Sequence, residues 1–241
     1  MSLVSNLFLL FVAASILIYY IVPRKSQWIV LLIFSYLYYI AGGPRYVVFI
    51  LFSTLVTWLM ALLIEKAEGK ENHKGARKLL ILGLILNFGM LGIVKYTNFA
   101  VENINALLHL NLRGIQLLLP LGISFYTFQS SGYLLDVYWK RCKAERHPLK
   151  YALFVSFFPQ ILQGPIGRYS RLADQLYAEH RFEGNNIIRG FERILWGFFK
   201  KMVLADRVNA AVLLIFHNYW NYGGWYNVLG VLLYSIQLYA I

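Results

Sequence analysis

The sequence predicts an all-α protein: a polytopic helical membrane protein with a re-entrant segment and an interfacial amphipathic helix. Of its 241 residues, 59% are hydrophobic and only 14% are charged, more apolar surface than a soluble domain of this length can bury. Uncharged stretches long enough to cross a bilayer recur along the chain. A backbone in lipid must satisfy its hydrogen bonds internally, and the alternating ten-residue pattern of a barrel is missing, so helices are the expected elements.

The uncharged stretches and the basic residues between them predict five spans and their orientation. We place these spans near residues 3–22, 26–44, 46–64, 79–94 and 114–135. The first connection carries Arg24 and Lys25 and the third, 65–78, carries five basic residues, whereas the second carries Arg45 alone. Basic residues favour the cytoplasmic side, so the pattern predicts a multi-pass protein of the cell membrane with its N-terminus outside.

The next uncharged stretch, 151–167, contains two prolines and two glycines in its second half. Prolines interrupt a helix, and glycines permit a tight return of the backbone. If the stretch crossed the bilayer, the eight basic residues between Arg168 and Arg207 would lie outside, against the pattern of the earlier connections. We therefore predict a re-entrant segment that enters from the cytoplasm and returns. A crossing helix with a proline kink is the alternative.

Residues 186–207 have the pattern of an amphipathic helix at the cytoplasmic interface. At about 100° per residue, Arg189, Arg193, Lys200 and Arg207 share one face, opposite an apolar face. The helix would anchor the chain in the interface, or its basic face would grip an anionic ligand. Beyond it, 208–241 is predicted to form spans or part-spans around a glycine turn. Its last apolar run is short for a bilayer, which predicts a chain truncated at the C-terminus.

Familiar catalytic and metal-binding motifs are missing from the sequence. It contains no GxSxG, HExxH, P-loop or GxGxxG motif, and no two of its five histidines have metal-ligand spacing. We expect no metal site. The single cysteine, Cys142, lies in a basic loop, where it is most simply an incidental residue. Basic loops of a membrane protein account for the formal net charge of +12, so nucleic acid is not an expected partner.

Polar residues concentrate in the fifth predicted span, after the helix-disturbing sequence Pro120-Leu121-Gly122. Gln129 is costly against lipid, so it is expected to face protein or a cavity. Hydrogen bonding between helices and lining of a polar tunnel are both open explanations. Asp136, at the cytoplasmic end of the span, is expected to pair with Lys140 four residues later.

Three ordered blocks of the sequence resemble signature blocks of the membrane-bound O-acyltransferase family. They are "LPLGISFYTFQSSGYLLDVYWKR", "FFPQILQGPIGRYSRLADQL" and "GFFKKMVLADRV". The most similar branch contains bacterial alginate O-acetyltransferases and D-alanyl transferases of teichoic acid. The resemblance implies a membrane-embedded tunnel in which an acyl group, acetyl being expected, passes from a cytoplasmic donor to a hydroxyl of an extracellular polysaccharide or envelope polymer. The donor would be acyl-CoA or an acyl carrier protein, and an extracytoplasmic accessory protein is a further expected partner.

The resemblance also implies roles for residues of this chain. Those expected to shape the tunnel and its cytoplasmic mouth are Gln129, Asp136, Gln163, Gly164, Pro165, Arg168, Lys200 and Lys201. The basic ones could meet a phosphate-bearing donor. The family's catalytic histidine is expected beyond Ile241, so no catalytic residue is assigned in this chain. A non-catalytic membrane scaffold and, less favoured, a transporter are the alternatives to an enzyme.

Overall fold

The computed structural model describes residues 5–108, 120–161, 164 and 166–240. Over these residues the protein is helical and contains no β-strand, which confirms the all-α prediction. In chain order the α-helices are α1 (Asn6–Ile21), α2 (Gln27–Gly42), α3 (Val47–Gly69), α4 (His73–Leu108), α5 (Ile123–Tyr138), α6 (Pro148–Ser156), α7 (Phe158–Ile161), α8 (Tyr169–Tyr177), α9 (Gly184–Phe199), α10 (Asp206–His217) and α11 (Gly224–Ala240).

Among the described residues, two helical stretches are long and apolar enough to cross a membrane. They are Pro44–Gly69, which includes α3, and α4, His73–Leu108. α1 is apolar but shorter. At 1.5 Å per residue, the 36 residues of α4 extend about 54 Å, well beyond a hydrocarbon core of roughly 30 Å.

The helices continue past the ends of the predicted spans. The predicted span at 79–94 stops where Lys95 interrupts the uncharged run, whereas α4 continues to Leu108. The predicted span at 46–64 stops before Glu65, whereas α3 continues to Gly69. A charged residue limits how much of a helix fits in lipid, but Glu and Lys are good helix formers and do not end the helix itself.

The chain divides into two compact units, one formed by Leu7–His180 and the other mainly by residues 181–240. In the first unit, α3 packs against α4, α5 and α6, and α2 packs against α6 and α7. A buried hydrogen-bond network joins α3 to α4. The Ser53 hydroxyl donates to Asn87 Oδ1 at 2.6 Å, and Asn87 Nδ2 donates to Thr57 Oγ1 at 2.9 Å and to the Gly83 carbonyl at 3.0 Å.

α5 begins where the Pro120-Leu121-Gly122 sequence predicted a disturbance. Gly122 precedes the helix with φ +67°, in the left-handed region that favours glycine. A Cβ atom placed on it would lie 2.5 Å from the carbonyl oxygen of Ile161. The turn therefore brings the backbones of two segments into close approach at the start of α5.

The predicted re-entrant stretch is a broken helix packed inside the first unit. α6 ends at Ser156, and Phe157 adopts an extended conformation before the short helix α7. Pro159 is the second residue of α7, where its missing N–H is no loss. The N–H of Phe158 donates instead to Ser35 Oγ of α2, at 3.2 Å. Residues 151–156, the second part of α6, are all buried.

In the second unit, a π-helical turn interrupts the predicted amphipathic helix. α9 passes into a π-helical stretch, Lys200–Ala205, and then into α10, so the helical path extends from 184 to 217. A π turn takes more residues than an α turn, so it rotates Arg207 away from the face that Arg189 and Arg193 share. None of the residues 184–199 is buried. α11 packs against α10 and the π-helical stretch, after a turn at 218–223.

Candidate functional site

A cleft with both polar and apolar lining residues lies in the first unit, between α5 and the segment that leads into α8. We call it the α5–α8 cleft. Its volume is about 260 Å³, and it is lined by Gln129, Gly132, Tyr133, Leu135, Asp136, Trp139, Arg141, Ile166, Gly167, Arg168 and Tyr169. Drug-sized ligands occupy pockets of roughly 300–1,000 Å³, so a cleft of this size would hold one polar end of a larger molecule.

Gln129 belongs to the buried wall of the cleft. It is 2% exposed, and its Nε2 donates to the carbonyl oxygen of Phe154 at 3.2 Å. Gln129 therefore bonds α5 to α6, as the first explanation expected, and it also lines the cleft. Its place in a polar tunnel stays a prediction. The hydroxyl oxygens of Thr127 and Ser131, buried on the same helix, have no hydrogen-bond partner among the described residues. Buried polar atoms of this kind are ordinarily satisfied by ordered water.

The predicted pair between Asp136 and Lys140 is wrong. Arg141 Nη1 lies 3.5 Å from Asp136 Oδ1, whereas Lys140 Nζ lies 3.2 Å from Glu68 Oε2. The i, i+4 rule assumes a continuous helix, but α5 ends at Tyr138 and Lys140 has φ +57°. The chain turns back on itself there, and the N–H of Arg141 donates to the carbonyl oxygen of Asp136 at 2.8 Å.

Two arginines give the mouth of the cleft its positive charge. The guanidinium of Arg141 lies over the ring of Trp139, 4.6 Å from its centroid, while pairing with Asp136. Arg168 is exposed at the opposite wall, just before α8. It also lines a neighbouring open groove of about 530 Å³, together with Ile166, Gly167, Arg171, Leu172 and Gln175. Arg168 therefore stands between the cleft and a larger exposed surface.

The cleft brings together three of the eight residues predicted to shape the site, namely Gln129, Asp136 and Arg168. Gly164 is exposed and is not among the residues that line it. Gln163 and Pro165 lie outside the described residues.

Lys200 and Lys201 belong to the π-helical stretch of the second unit. Lys201 Nζ pairs with Asp206 Oδ1 at 3.2 Å, a contact between residues five apart that the wider π turn permits.

Sequence reasoning missed the loop that follows α5 as part of the site. This loop, residues 139–147, contributes Trp139 and Arg141 to the cleft. An ion pair and a hydrogen bond connect it to α3. Arg146 Nη2 lies 2.6 Å from Glu65 Oε2, and the N–H of Ala144 donates to Glu65 Oε1 at 3.2 Å. The basic composition of the loop indicated only its side of the membrane. Charge patterning does not reveal that two glutamates of α3 would fix its conformation.

Metal ligation finds no support in the part of the chain that the structure describes. Within residues 5–108, 120–161, 164 and 166–240, no three His, Cys, Asp or Glu side chains are grouped closely enough to hold a metal ion. What the cleft offers instead is a buried amide, one carboxylate and two guanidinium groups. Guanidinium groups are well suited to binding phosphate.

Curated relatives of the chain are bacterial O-acetyltransferases, and they confirm the resemblance to the membrane-bound O-acyltransferase family. The "Probable alginate O-acetylase AlgI" of Pseudomonas aeruginosa is 33% identical over 245 residues, which cover 98% of this chain and 45% of the relative. The protein of the same name from Pseudomonas syringae is 33% identical over 244 residues, covering 98% of this chain and 46% of the relative. The "Peptidoglycan O-acetyltransferase" of Helicobacter pylori is 33% identical over 205 residues, covering 74% of this chain and 38% of the relative.

The chain spans about half the length of the curated relatives it matches. No protein-family model matches it, and no solved structure matches it.

Proposed function

We propose that the chain forms part of a membrane O-acyltransferase. The enzyme would transfer an acyl group, acetyl by analogy with the named relatives, from a cytoplasmic thioester donor to a hydroxyl of an extracellular polysaccharide or envelope polymer. The printed names of the relatives cover both alginate and peptidoglycan, so the shared chemistry is O-acetylation of a glycan. In that reaction the acceptor hydroxyl oxygen attacks the thioester carbonyl, and the donor thiol departs. We assign the proton-accepting histidine to the part of the enzyme beyond this chain.

The observation that carries the proposal for this chain is the α5–α8 cleft with Arg141 and Arg168 at its mouth. Acyl-CoA and an acyl carrier protein share a phosphopantetheine arm, which ends in the thiol and carries a phosphate at its other end. We propose that Arg168 binds that phosphate, because it is exposed and makes no salt bridge among the described ion pairs, whereas Arg141 is already paired with Asp136.

Binding of phosphopantetheine compounds tests the donor site. The purified chain in lipid nanodiscs is titrated with coenzyme A, 4′-phosphopantetheine and pantetheine by isothermal calorimetry. We expect both phosphate-bearing compounds to bind more tightly than pantetheine. Arg168→Gln should lower their affinity about tenfold, as loss of one charge-assisted hydrogen bond requires. Tighter binding of coenzyme A than of 4′-phosphopantetheine would favour acyl-CoA as the donor, and equal binding would favour a carrier protein.

Arg77→Gln is the matched control, since Arg77 is an exposed arginine of α4 and does not line the cleft. It should leave all three affinities unchanged. If pantetheine binds as tightly as its phosphorylated form, or if both arginine variants weaken binding equally, the cleft is not a donor phosphate site.

We also propose that the protein crosses the membrane several times, with its N-terminus outside and with 151–167 re-entrant from the cytoplasm. The break between α6 and α7 and the burial of residues 151–156 support this arrangement. In a Cys142→Ser background, single cysteines at the exposed positions Arg45 and Glu102 should react with an impermeant maleimide added to intact cells. Cysteines at Lys74, Glu179 and Asn185 should react only after the cells are opened. Reaction of the last two in intact cells would show that 151–167 crosses the bilayer.

A further inference from the structure

We infer that Glu145 is a positioning residue that holds Arg168 at the α5–α8 cleft through Tyr169. Glu145 lies in the loop after α5 and was not among the residues predicted to shape the site. The inference rests on the proposed function, because it takes Arg168 to be the group that binds the donor phosphate.

Glu145 joins three helices of the first unit, α3, α5 and α8, through its own hydrogen bonds. Its N–H donates to the Tyr133 hydroxyl at 2.8 Å, and its carbonyl accepts from Trp58 Nε1 at 2.9 Å. Its carboxylate accepts from the N–H of His147 at 2.8 Å and from the Tyr169 hydroxyl at 2.6 Å. The backbone of Glu145 is therefore fixed by α3 and α5, and its carboxylate is left to bond to its own loop at His147 and to α8 at Tyr169.

Tyr169 transmits this attachment to the cleft. It is the first residue of α8 and directly follows Arg168, whose carbonyl accepts the first hydrogen bonds of that helix. Its ring is buried between Tyr133 and Phe154, with centroid distances of 4.7 Å and 5.0 Å. The Tyr169 hydroxyl donates to the Glu145 carboxylate at 2.6 Å, the short distance expected of a charge-assisted hydrogen bond.

The consequence is that the start of α8 has a fixed position relative to α5. Arg168 is exposed, with a long flexible side chain, so packing of its own side chain does not hold it in place. The Glu145–Tyr169 bond orders the backbone from which that side chain extends. The alternative is that Glu145 only stabilises the fold. A positioning role predicts that its loss weakens binding of a phosphate-bearing ligand selectively, whereas a purely structural role predicts equal effects on ligands with and without a phosphate.

The test compares a probe that has a phosphate with one that lacks it. Tyr169→Phe and Glu145→Gln are prepared in the full chain in nanodiscs, and their affinities for 4′-phosphopantetheine and pantetheine are measured by calorimetry. We expect each variant to lower the affinity for 4′-phosphopantetheine about five- to tenfold and to change the affinity for pantetheine less than twofold. In an Arg168→Gln background, neither change should lower the affinity for 4′-phosphopantetheine further, because the group that it positions is gone.

Tyr19→Phe is the matched control. Tyr19 is a partly buried tyrosine of α1 whose hydroxyl is hydrogen-bonded to His180 Nδ1 at 2.8 Å, and it does not line the cleft. It should leave both affinities unchanged. Equal loss of affinity for the two probes in Tyr169→Phe and Glu145→Gln would overturn the positioning role, and so would an unchanged affinity for 4′-phosphopantetheine. If Tyr169→Phe does not fold, Glu145→Gln alone decides, since its side chain keeps the same size and loses only the charge that strengthens the hydrogen bond from Tyr169.

Failure of the inference and failure of the proposed function have different signatures. If Arg168→Gln weakens 4′-phosphopantetheine binding while Tyr169→Phe and Glu145→Gln do not, the donor site stands and the positioning role falls. If the unaltered chain shows no preference for the phosphorylated probe, both fall together.

Discussion

Replacement of Gly122 by alanine is the sharpest test of the close approach between the start of α5 and the end of α7. Two separate costs follow from the geometry. An L-residue at φ +67° costs about 1–2 kcal/mol, and a Cβ atom 2.5 Å from the Ile161 carbonyl oxygen forces a shift that typically costs about 1–3 kcal/mol. The lower entropy of the unfolded chain with alanine returns roughly 0.5–1 kcal/mol. The net destabilisation expected is about 1.5–4 kcal/mol.

The assay is thermal unfolding of the chain in detergent, followed by tryptophan fluorescence. For a chain of this size, 1 kcal/mol corresponds to roughly 2–4 °C, so Gly122→Ala should lower Tm by about 3–15 °C. Gly122→Asn separates the two costs, because asparagine tolerates the left-handed conformation but still carries the Cβ atom. Its effect should therefore be smaller than that of alanine.

Gly89→Ala is the control for the general effect of a methyl group on a helical glycine. Apart from the neighbouring backbone of α4 itself, no atom of the described residues lies within 4 Å of the Cβ position at Gly89, so the substitution should not lower Tm. If Gly122→Ala and Gly89→Ala unfold at the same temperature, α5 does not begin against Ile161 as described.

Two further predictions concern a buried amide and the single thiol. Asn87→Ala should destabilise the chain by about 1–3 kcal/mol in the same unfolding assay, because it leaves Ser53 and Thr57 without their hydrogen-bond partner. Asn103→Ala, at an exposed position of α4, is the control and should cost less than about 0.5 kcal/mol. Burial, with the Asp136 and Glu65 carboxylates adding to it, raises the pKa of the Cys142 thiol from 9.0 to about 11. The reactive thiolate is therefore scarce at pH 8, and a maleimide should react about 100-fold more slowly than with an ordinary thiol, the rate rising about tenfold for each pH unit up to pH 10. Equal Tm values for the two asparagine variants would show that the hydrogen-bond network between α3 and α4 is absent. A maleimide reaction rate at pH 8 equal to that of an ordinary thiol would show that the loop after α5 does not enclose Cys142.

The helical class and the break in the predicted re-entrant stretch could be predicted from local sequence. Apolar composition and uncharged runs indicated helices because lipid leaves the backbone few other options. Pro159 indicated an interruption, and the helical path is broken at Phe157, between the end of α6 at Ser156 and the start of α7 at Phe158. Helix length was the weaker part of the prediction. Lys95 and Glu65 end uncharged runs without ending α4 or α3, because the cost of placing charge in lipid and the propensity to form a helix are separate quantities.

The candidate site was predictable only in part, because sequence patterns relate residues that are close along the chain and the site also joins residues that are far apart. Gln129 and Asp136 share α5, so their common placement follows from helical spacing. The pairing of Lys140 with Glu68 joins residues 72 positions apart and replaces the local pair that the sequence favoured. Glu145 carries no sequence signal at all, since its bonds reach Trp58, Tyr133 and Tyr169 on three different helices.

The sequence by itself determined that this chain is helical, apolar and similar to bacterial O-acetyltransferases, because composition, periodicity and ordered motifs are properties of neighbouring residues. Only the tertiary structure decided that Gln129, Asp136 and Arg168 line one cleft. It also decided that the loop 139–147, from which the sequence analysis used only the charge, forms part of the mouth of that cleft. Such contacts depend on how α3, α5 and α8 pack, and packing joins residues that no local pattern connects.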